Sequence, residues 1–190
     1  LEKVSSSTAT QTGLTNLQIT LPTTDDFTAL KLFVRGLKST TATNSFWGLT
    51  LGDASGTAIT SSGSYYYIAN YTYSNLASTH GVAYNVANSG DVFGRMSAHY
   101  VGDGSSDFEM MDFELTIFLS NDASRSTRVK FHTGYEKRHT DSYVTFNDGS
   151  IIRNGAEVNA NINLFVNTGS QFTSYGYGLY KVKSWQNINY

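Results

Sequence analysis

The chain has 190 residues, a formal net charge of -2 and no Cys, and these values set the first limits on its structure and partners. The length is enough for one domain with a substantial core and leaves little room for a second domain. A disulfide framework and a thiolate metal site are excluded. The scattered basic residues argue against nucleic acid as a partner, because neutralising phosphates requires clustered Lys and Arg.

Charged residues are scarce at 15% of the chain, against about 25% in a typical soluble domain. The surface must therefore be built from Ser, Thr, Asn and Gly. Such a composition is typical of extracellular β proteins and less common in intracellular enzymes. No run of about 18 apolar residues occurs in the sequence, so we expect neither a membrane-spanning helix nor a membrane partner.

The first half of the chain predicts an arm followed by short strands. Residues 1–13 are rich in Ser and Thr without an apolar period, which predicts an N-terminal arm ahead of one domain over residues 14–190. Arms of this kind often dock on neighbouring subunits. Apolar residues then alternate with others, the period of a pleated strand, in residues 17–21, 30–34 and 47–51.

A tyrosine-rich segment follows these strands. Because side chains alternate across a strand, four of the tyrosines can share one face: Tyr65, Tyr67, Tyr71 and Tyr73. They either pack at the rim of a sandwich with their hydroxyls in water, or form a sugar-stacking platform or a subunit contact. We take these four residues as the candidate interface or glycan contact, with the subunit contact favoured over the sugar platform.

The second half repeats the alternating pattern in residues 92–100, 111–119, 129–135 and 161–166. The run at 111–119 predicts a half-buried antiparallel strand. Asn147-Asp148-Gly149 predicts a chain reversal before Ile151, and residues 161–166 predict a strand with one buried face. No stretch has the spacing of a helix. These patterns predict an all-β protein built as a sandwich or a barrel.

The histidines and one acidic loop are the candidate metal ligands in the sequence. The histidines are far apart in sequence and lack the spacing of a zinc or iron site: His80, His99, His132 and His139. Residues 103–107, with Asp at both ends and Gly at 104, resemble the start of a calcium loop but lack its later Glu. A solvated turn is the favoured interpretation, and we expect neither a metal nor any other cofactor.

Three carboxylates lie near each other in sequence and could supply a catalytic pair: Glu109, Asp112 and Glu114. On a strand, Asp112 and Glu114 would share a face about 7 Å apart, which fits a glycosidase or no function at all. No Ser nucleophile elbow, phosphate loop or dinucleotide fingerprint occurs. We therefore expect no catalytic residues.

Several segments taken together resemble a known family. Residues 162–164 (Ile-Asn-Leu), 169–172 (Gly-Ser-Gln-Phe) and 178–182 (Gly-Leu-Tyr-Lys-Val) resemble the C-terminal ends of β-sandwich domains in tailed-phage virion proteins. Residues 27–37, 47–51 and 61–67 are similar to the front of such domains. Two departures are Lys181 in place of the final Gly, and an additional Gly-x-Gly at Gly176 and Gly178.

This resemblance implies a single antiparallel β-sandwich of jelly-roll type, which is our predicted fold. It implies a non-enzymatic structural protein on the virion surface, either a head-decoration (cement) protein or a tail-fibre or spike protein that binds a receptor. The implied partners are the major capsid protein or other virion proteins, further copies in a homotrimer, and a host-surface glycan. The alternative is a carbohydrate-binding module or glycan-active enzyme with a lectin-like sandwich.

Overall fold

The computed structural model describes residues 1–24, 27–40, 46–75, 80–97, 111–139 and 141–183, of which 71–75, 80–89, 134–139 and 141–145 are described by their backbone alone. The strands in these residues are β1 (Glu2–Ser7), β2 (Gln11–Leu14), β3 (Leu17–Thr20), β4 (Ala29–Ser39), β5 (Trp47–Gly52), β6 (Tyr65–Asn75), β7 (His80–Asp91), β8 (Gly94–Arg95), β9 (Met111–Phe118), β10 (Ser126–His139), β11 (Asp141–Ala156), β12 (Asn161–Val166), β13 (Phe172–Ser174) and β14 (Gly176–Val182). The all-β prediction is confirmed for this part of the chain. It contains no helix that could cross a membrane.

The strands form two sheets in which every pairing is antiparallel. The larger is a ten-stranded sheet with the order β1-β14-β4-β9-β10-β11-β6-β7, to which β13 is added through β4, and β2 through β13. The smaller is a four-stranded sheet with the order β3-β12-β5-β8. The predicted arm, residues 1–13, therefore supplies β1 and most of β2, which pair with β14 and β13 of the same chain.

One core lies between the two sheets. Trp47 of the smaller sheet meets Phe113 of the larger sheet edge to face, with ring centroids 6.0 Å apart, and Phe172 at 5.2 Å. On β9, Met111, Phe113 and the alternate residues after them are buried, as the half-buried strand prediction required. The arrangement is sandwich-like, because the inward faces of both sheets contribute to a single buried cluster.

The strand β12 differs from its prediction of one buried face. Asn161 and Asn163 alternate with the apolar residues but are only 4% and 3% exposed. The loop after β5 folds over this side of the smaller sheet, where Asn161 Nδ2 donates to the Gly56 carbonyl at 2.8 Å. Asn163 Nδ2 donates to Asn161 Oδ1 at 3.0 Å. Both amides can be buried because they are hydrogen-bonded there.

The predicted reversal at Asn147-Asp148-Gly149 is wrong. These residues lie inside β11, which continues from Asp141 to Ala156, and Gly149 pairs with Phe131 on one side and Ala69 on the other. A Cβ at Gly149 would lie 2.2 Å from the Ile68 carbonyl oxygen and 2.4 Å from Cζ of Phe131. Glycine is required here by a close approach within the sheet and not by a turn.

Candidate functional site

The structure describes the side chains of two of the four predicted tyrosines. Tyr65 and Tyr67 are 0% and 8% exposed and belong to the core between the sheets. The Tyr65 hydroxyl donates to the Ile59 carbonyl at 3.0 Å and accepts from the Leu51 N–H at 2.8 Å. These two side chains therefore do not form part of an exposed row. The side chains of Tyr71 and Tyr73 lie outside the described part of the molecule, and a contact there stays a prediction.

The buried Tyr65 hydroxyl makes stability depend on pH. Burial raises the pKa of Tyr65 from its ordinary value of 10.0 to about 12, so the folded chain holds this proton more tightly than the unfolded chain does. The resulting stabilisation is complete below pH 10 and is lost as the pH rises towards 12.

We expect the stability advantage of the natural chain over Tyr65→Phe to shrink by about 2 kcal/mol between pH 9 and pH 12. The comparison isolates Tyr65, since every other titrating group is shared by the two proteins. Urea unfolding at a series of pH values measures it. An advantage that stays constant over this range would mean that the hydroxyl is not buried.

The two described carboxylates of the predicted pair are engaged by different partners. Asp112 Oδ1 accepts from the Gly36 N–H at 2.7 Å, where the register between β4 and β9 shifts at a bulge. Glu114 forms an ion pair with Lys31. Glu109 lies outside the described residues. The positions of Asp112 and Glu114 are thus explained by two structural contacts. Asp112 stabilises the bulge in β4, and Glu114 links β9 to β4 through its ion pair.

Metal ligands do not cluster within the described part of the chain. Among the side chains described there, no group of three or more His, Cys, Asp or Glu could hold a metal ion. His132 stacks on Phe146, with ring centroids 6.5 Å apart. The side chains of His80 and His139, together with His99 and residues 103–107, lie outside what the structure describes.

A surface groove that the sequence did not predict lies on the outer face of the larger sheet. It occupies about 680 Å³ where β1, β14 and β4 run side by side. We call it the β14 groove. Among the described residues its lining is aromatic, basic and rich in hydroxyls, with no acidic member. The residues used in the argument below are Lys3, Phe33, Arg35, Tyr175, Gly178 and Tyr180.

The floor of the β14 groove depends on glycine. A Cβ at Gly178 would lie 2.9 Å from Cε2 of Tyr180, so the Tyr180 ring lies back across this residue. Phe33 meets that ring edge to face, with centroids 6.0 Å apart at 73°. Gly176 has a φ of 131°, and a Cβ there would lie 2.5 Å from the Ser7 carbonyl oxygen. Glycine at 176 therefore allows β1 to approach β14 closely.

In the sequence, Gly176 and Gly178 stand out only as a departure from the family ending that the chain resembles. The signal that could have found the groove is the pair Gly176 and Gly178, two residues apart and followed after two more residues by Tyr180. Residues at alternate positions share one face of a strand, so these glycines leave space above the backbone on the face that carries Tyr180.

Comparison with known proteins found no match for the chain among family models, curated proteins or solved structures. The resemblance to tailed-phage virion proteins therefore rests on the motifs in residues 27–67 and 162–182. The fold and the β14 groove are the observations from which function can be argued.

Proposed function

We propose that this chain is a non-enzymatic structural protein on the surface of a tailed-phage particle, with a jelly-roll sandwich that works by attachment. The observation that carries the proposal is the nesting of strand pairs. The first strand pairs with the last, and the order continues inwards: β1 with β14, β3 with β12, β4 with β9, and β5 with β8.

Nested pairs of this kind support the jelly roll for a topological reason. A long antiparallel ribbon that rolls up places alternate pairs in opposite sheets. Here β1–β14 and β4–β9 belong to the larger sheet, whereas β3–β12 and β5–β8 belong to the smaller one. The short pair β2–β13, nested between β1–β14 and β3–β12, is an addition to the larger sheet. This eight-stranded pattern is used by viral capsid and lectin domains. The pattern supports the fold, while the role in a virion also draws on the sequence resemblance.

Two additional hairpins widen the larger sheet. The hairpin β6–β7 falls between β5 and β8 in the chain, and β10–β11 falls between β9 and β12. They pair with each other through β11 and β6, so the larger sheet extends well beyond the smaller one. A broad outer face is suited to attachment by shape complementarity, the mechanism proposed for both a decoration protein and a fibre domain.

An apolar patch on these hairpins supports contact with other subunits. Tyr66, Ile68 and Ile152 are 40%, 45% and 40% exposed, and Tyr66 lies directly opposite Ile152 in the sheet. Exposed apolar and aromatic side chains are typical of protein contacts. The homotrimer implied by the resemblance would bury this patch. The remaining surface would contact the major capsid protein or another virion protein.

The trimer contact can be tested with Ile68→Lys. We expect the natural chain to sediment as a trimer, and Ile68→Lys to weaken assembly about tenfold or more, because each copy loses a buried Ile and buries a charge. Val92→Lys is the matched control, since Val92 is 40% exposed but lies in the turn before β8. A monomeric natural chain would contradict the trimer, and an unaffected variant would place its contact elsewhere.

The virion role is tested by quantitative mass spectrometry of gradient-purified particles of the phage that encodes the chain. A decoration protein is expected at a copy number close to that of the major capsid protein, and a tail-fibre protein far below it. Either result supports the proposal and decides between its two forms. A chain absent from purified particles would contradict it.

A further inference from the structure

We infer that the β14 groove binds an acidic carbohydrate, meaning an oligosaccharide that carries carboxylates. This inference deepens the proposed attachment function by naming a ligand for it. It is argued from the groove alone, and it can be tested on the isolated protein. It also replaces the predicted glycan contact at Tyr65 and Tyr67, which the core buries.

The aromatic rings provide the surface on which a sugar can stack. The Tyr180 ring lies across Gly178, with Phe33 edge-on beside it, so one ring face is held against the sheet by its neighbours. Tyr175, which is 44% exposed, lies over Gly36 at the other end. The weakly positive C–H groups on one face of a sugar ring pack well against the negative face of an aromatic ring.

The charges of the groove select an anion. Lys3 and Arg35 both line it, and none of its described lining residues is acidic. Arg35 also borders a neighbouring cleft that Asp112 and Glu114 line. Within the part of the chain that the structure describes, no carboxylate pairs with either side chain. An Arg can bind a carboxylate through two parallel hydrogen bonds, which gives both affinity and orientation.

The positions of the two cations set the length of the ligand. Lys3 lies opposite Tyr180 on β14, and Arg35 lies opposite Gly176. Four residues along a strand span about 13 Å, and the two cations stand on opposite sides of β14, two strand spacings or about 10 Å apart. This separation of the two backbone positions exceeds the width of one sugar ring. It suits an oligosaccharide that carries carboxylates on more than one residue.

The hydroxyl groups at the rim suit a carbohydrate. Ser6, Ser7 and Thr8 of the first strand and the segment after it line the same groove as the tyrosines. Hydroxyls can donate and accept, which matches the hydroxyls of a sugar. A pocket with apolar rings and a few polar groups is the usual form of a small-ligand site, and about 680 Å³ lies within the usual range of 300–1,000 Å³.

The test is affinity electrophoresis of the whole chain in gels that contain polygalacturonate, alginate, hyaluronan or polysialic acid, each beside its carboxyl-reduced form. We expect retardation by at least one acidic polymer, little by its reduced form, and weaker retardation at higher salt. No retardation by any acidic polymer would overturn the inference. So would equal retardation by a reduced form or by polyglutamate, which carries carboxylates without sugar rings.

Variants then locate the site on the polymer that binds. Arg35→Gln is expected to weaken binding about tenfold to a hundredfold, the usual result of losing a charged hydrogen bond, and Tyr180→Leu to weaken it by removing the stacking surface. Lys130→Gln is the matched control, since Lys130 is exposed on β10 and is not part of the groove. Equal losses in Arg35→Gln and Lys130→Gln would contradict the location. Particle location is measured separately, so failure here leaves the virion proposal standing.

Discussion

Replacing Trp47 by Ala is expected to lower the free energy of unfolding by about 3–5 kcal/mol, the usual cost of truncating a buried aromatic residue. Trp47 is 1% exposed and joins the two sheets through its contacts with Phe113 and Phe172. The truncation would leave a cavity between the sheets that their backbones cannot close.

Urea unfolding followed by circular dichroism measures the effect, since tryptophan fluorescence would change with the substitution itself. Phe146→Ala serves as the control, because Phe146 is 51% exposed on β11. We expect this variant to lose less than about 1 kcal/mol. Similar losses in the two variants would contradict the packing of one sheet on the other at Trp47.

Replacing Gly149 by Ala is expected to cost at least about 3 kcal/mol, at the upper end of the usual cost of overpacking. The added methyl group would meet the Ile68 carbonyl oxygen and the Phe131 ring. The carbonyl belongs to the neighbouring strand, so the clash can be relieved only by opening the β6–β11 pairing.

Gly63→Ala is the informative control for Gly149→Ala. Gly63 has a φ of 84° but nothing within 4 Å of an added Cβ, so this variant isolates the cost of an unfavourable backbone conformation. We expect a loss of about 1–2 kcal/mol. Thermal or urea unfolding compares the two. A smaller loss at Gly149 than at Gly63 would mean that the close approach of β6 and β11 is wrong.

The prediction from sequence was most accurate for β9, because the alternation within that strand indicates which of its residues are buried. Residues 111–118 alternate cleanly, and their strand has the predicted buried and exposed faces. The period also placed Tyr65 and Tyr67 on one face, as found. It could not tell which face would be inside, because that depends on the second sheet, whose strands lie elsewhere in the chain.

The predictions that were wrong share a different cause. Asn161 and Asn163 have the polarity of surface residues, but the loop that carries Gly56 covers them. Gly149 has the sequence signature of a turn, yet the close approach of Phe131 explains it. In each case the residue type suits a contact with a segment distant in sequence, and no local pattern indicates that segment.

The strand partners were beyond local reasoning for the same reason. The pairing of β1 with β14 joins residue 2 to residue 181, and no period or turn in either segment indicates the other. The β14 groove depends on that pairing, since Lys3 and Arg35 come from strands on the two sides of β14. A prediction of the site therefore required the order of strands in the larger sheet.

The measurement that tests the central proposal most directly is immunogold electron microscopy of intact particles of the tailed phage that we propose as the source of the chain, with antibody raised against the purified protein. We expect gold on the particle surface, over the head for a decoration protein or confined to the tail for a receptor-binding fibre. Particles that remain unlabelled, while the same antibody labels the purified protein on the grid, would contradict it.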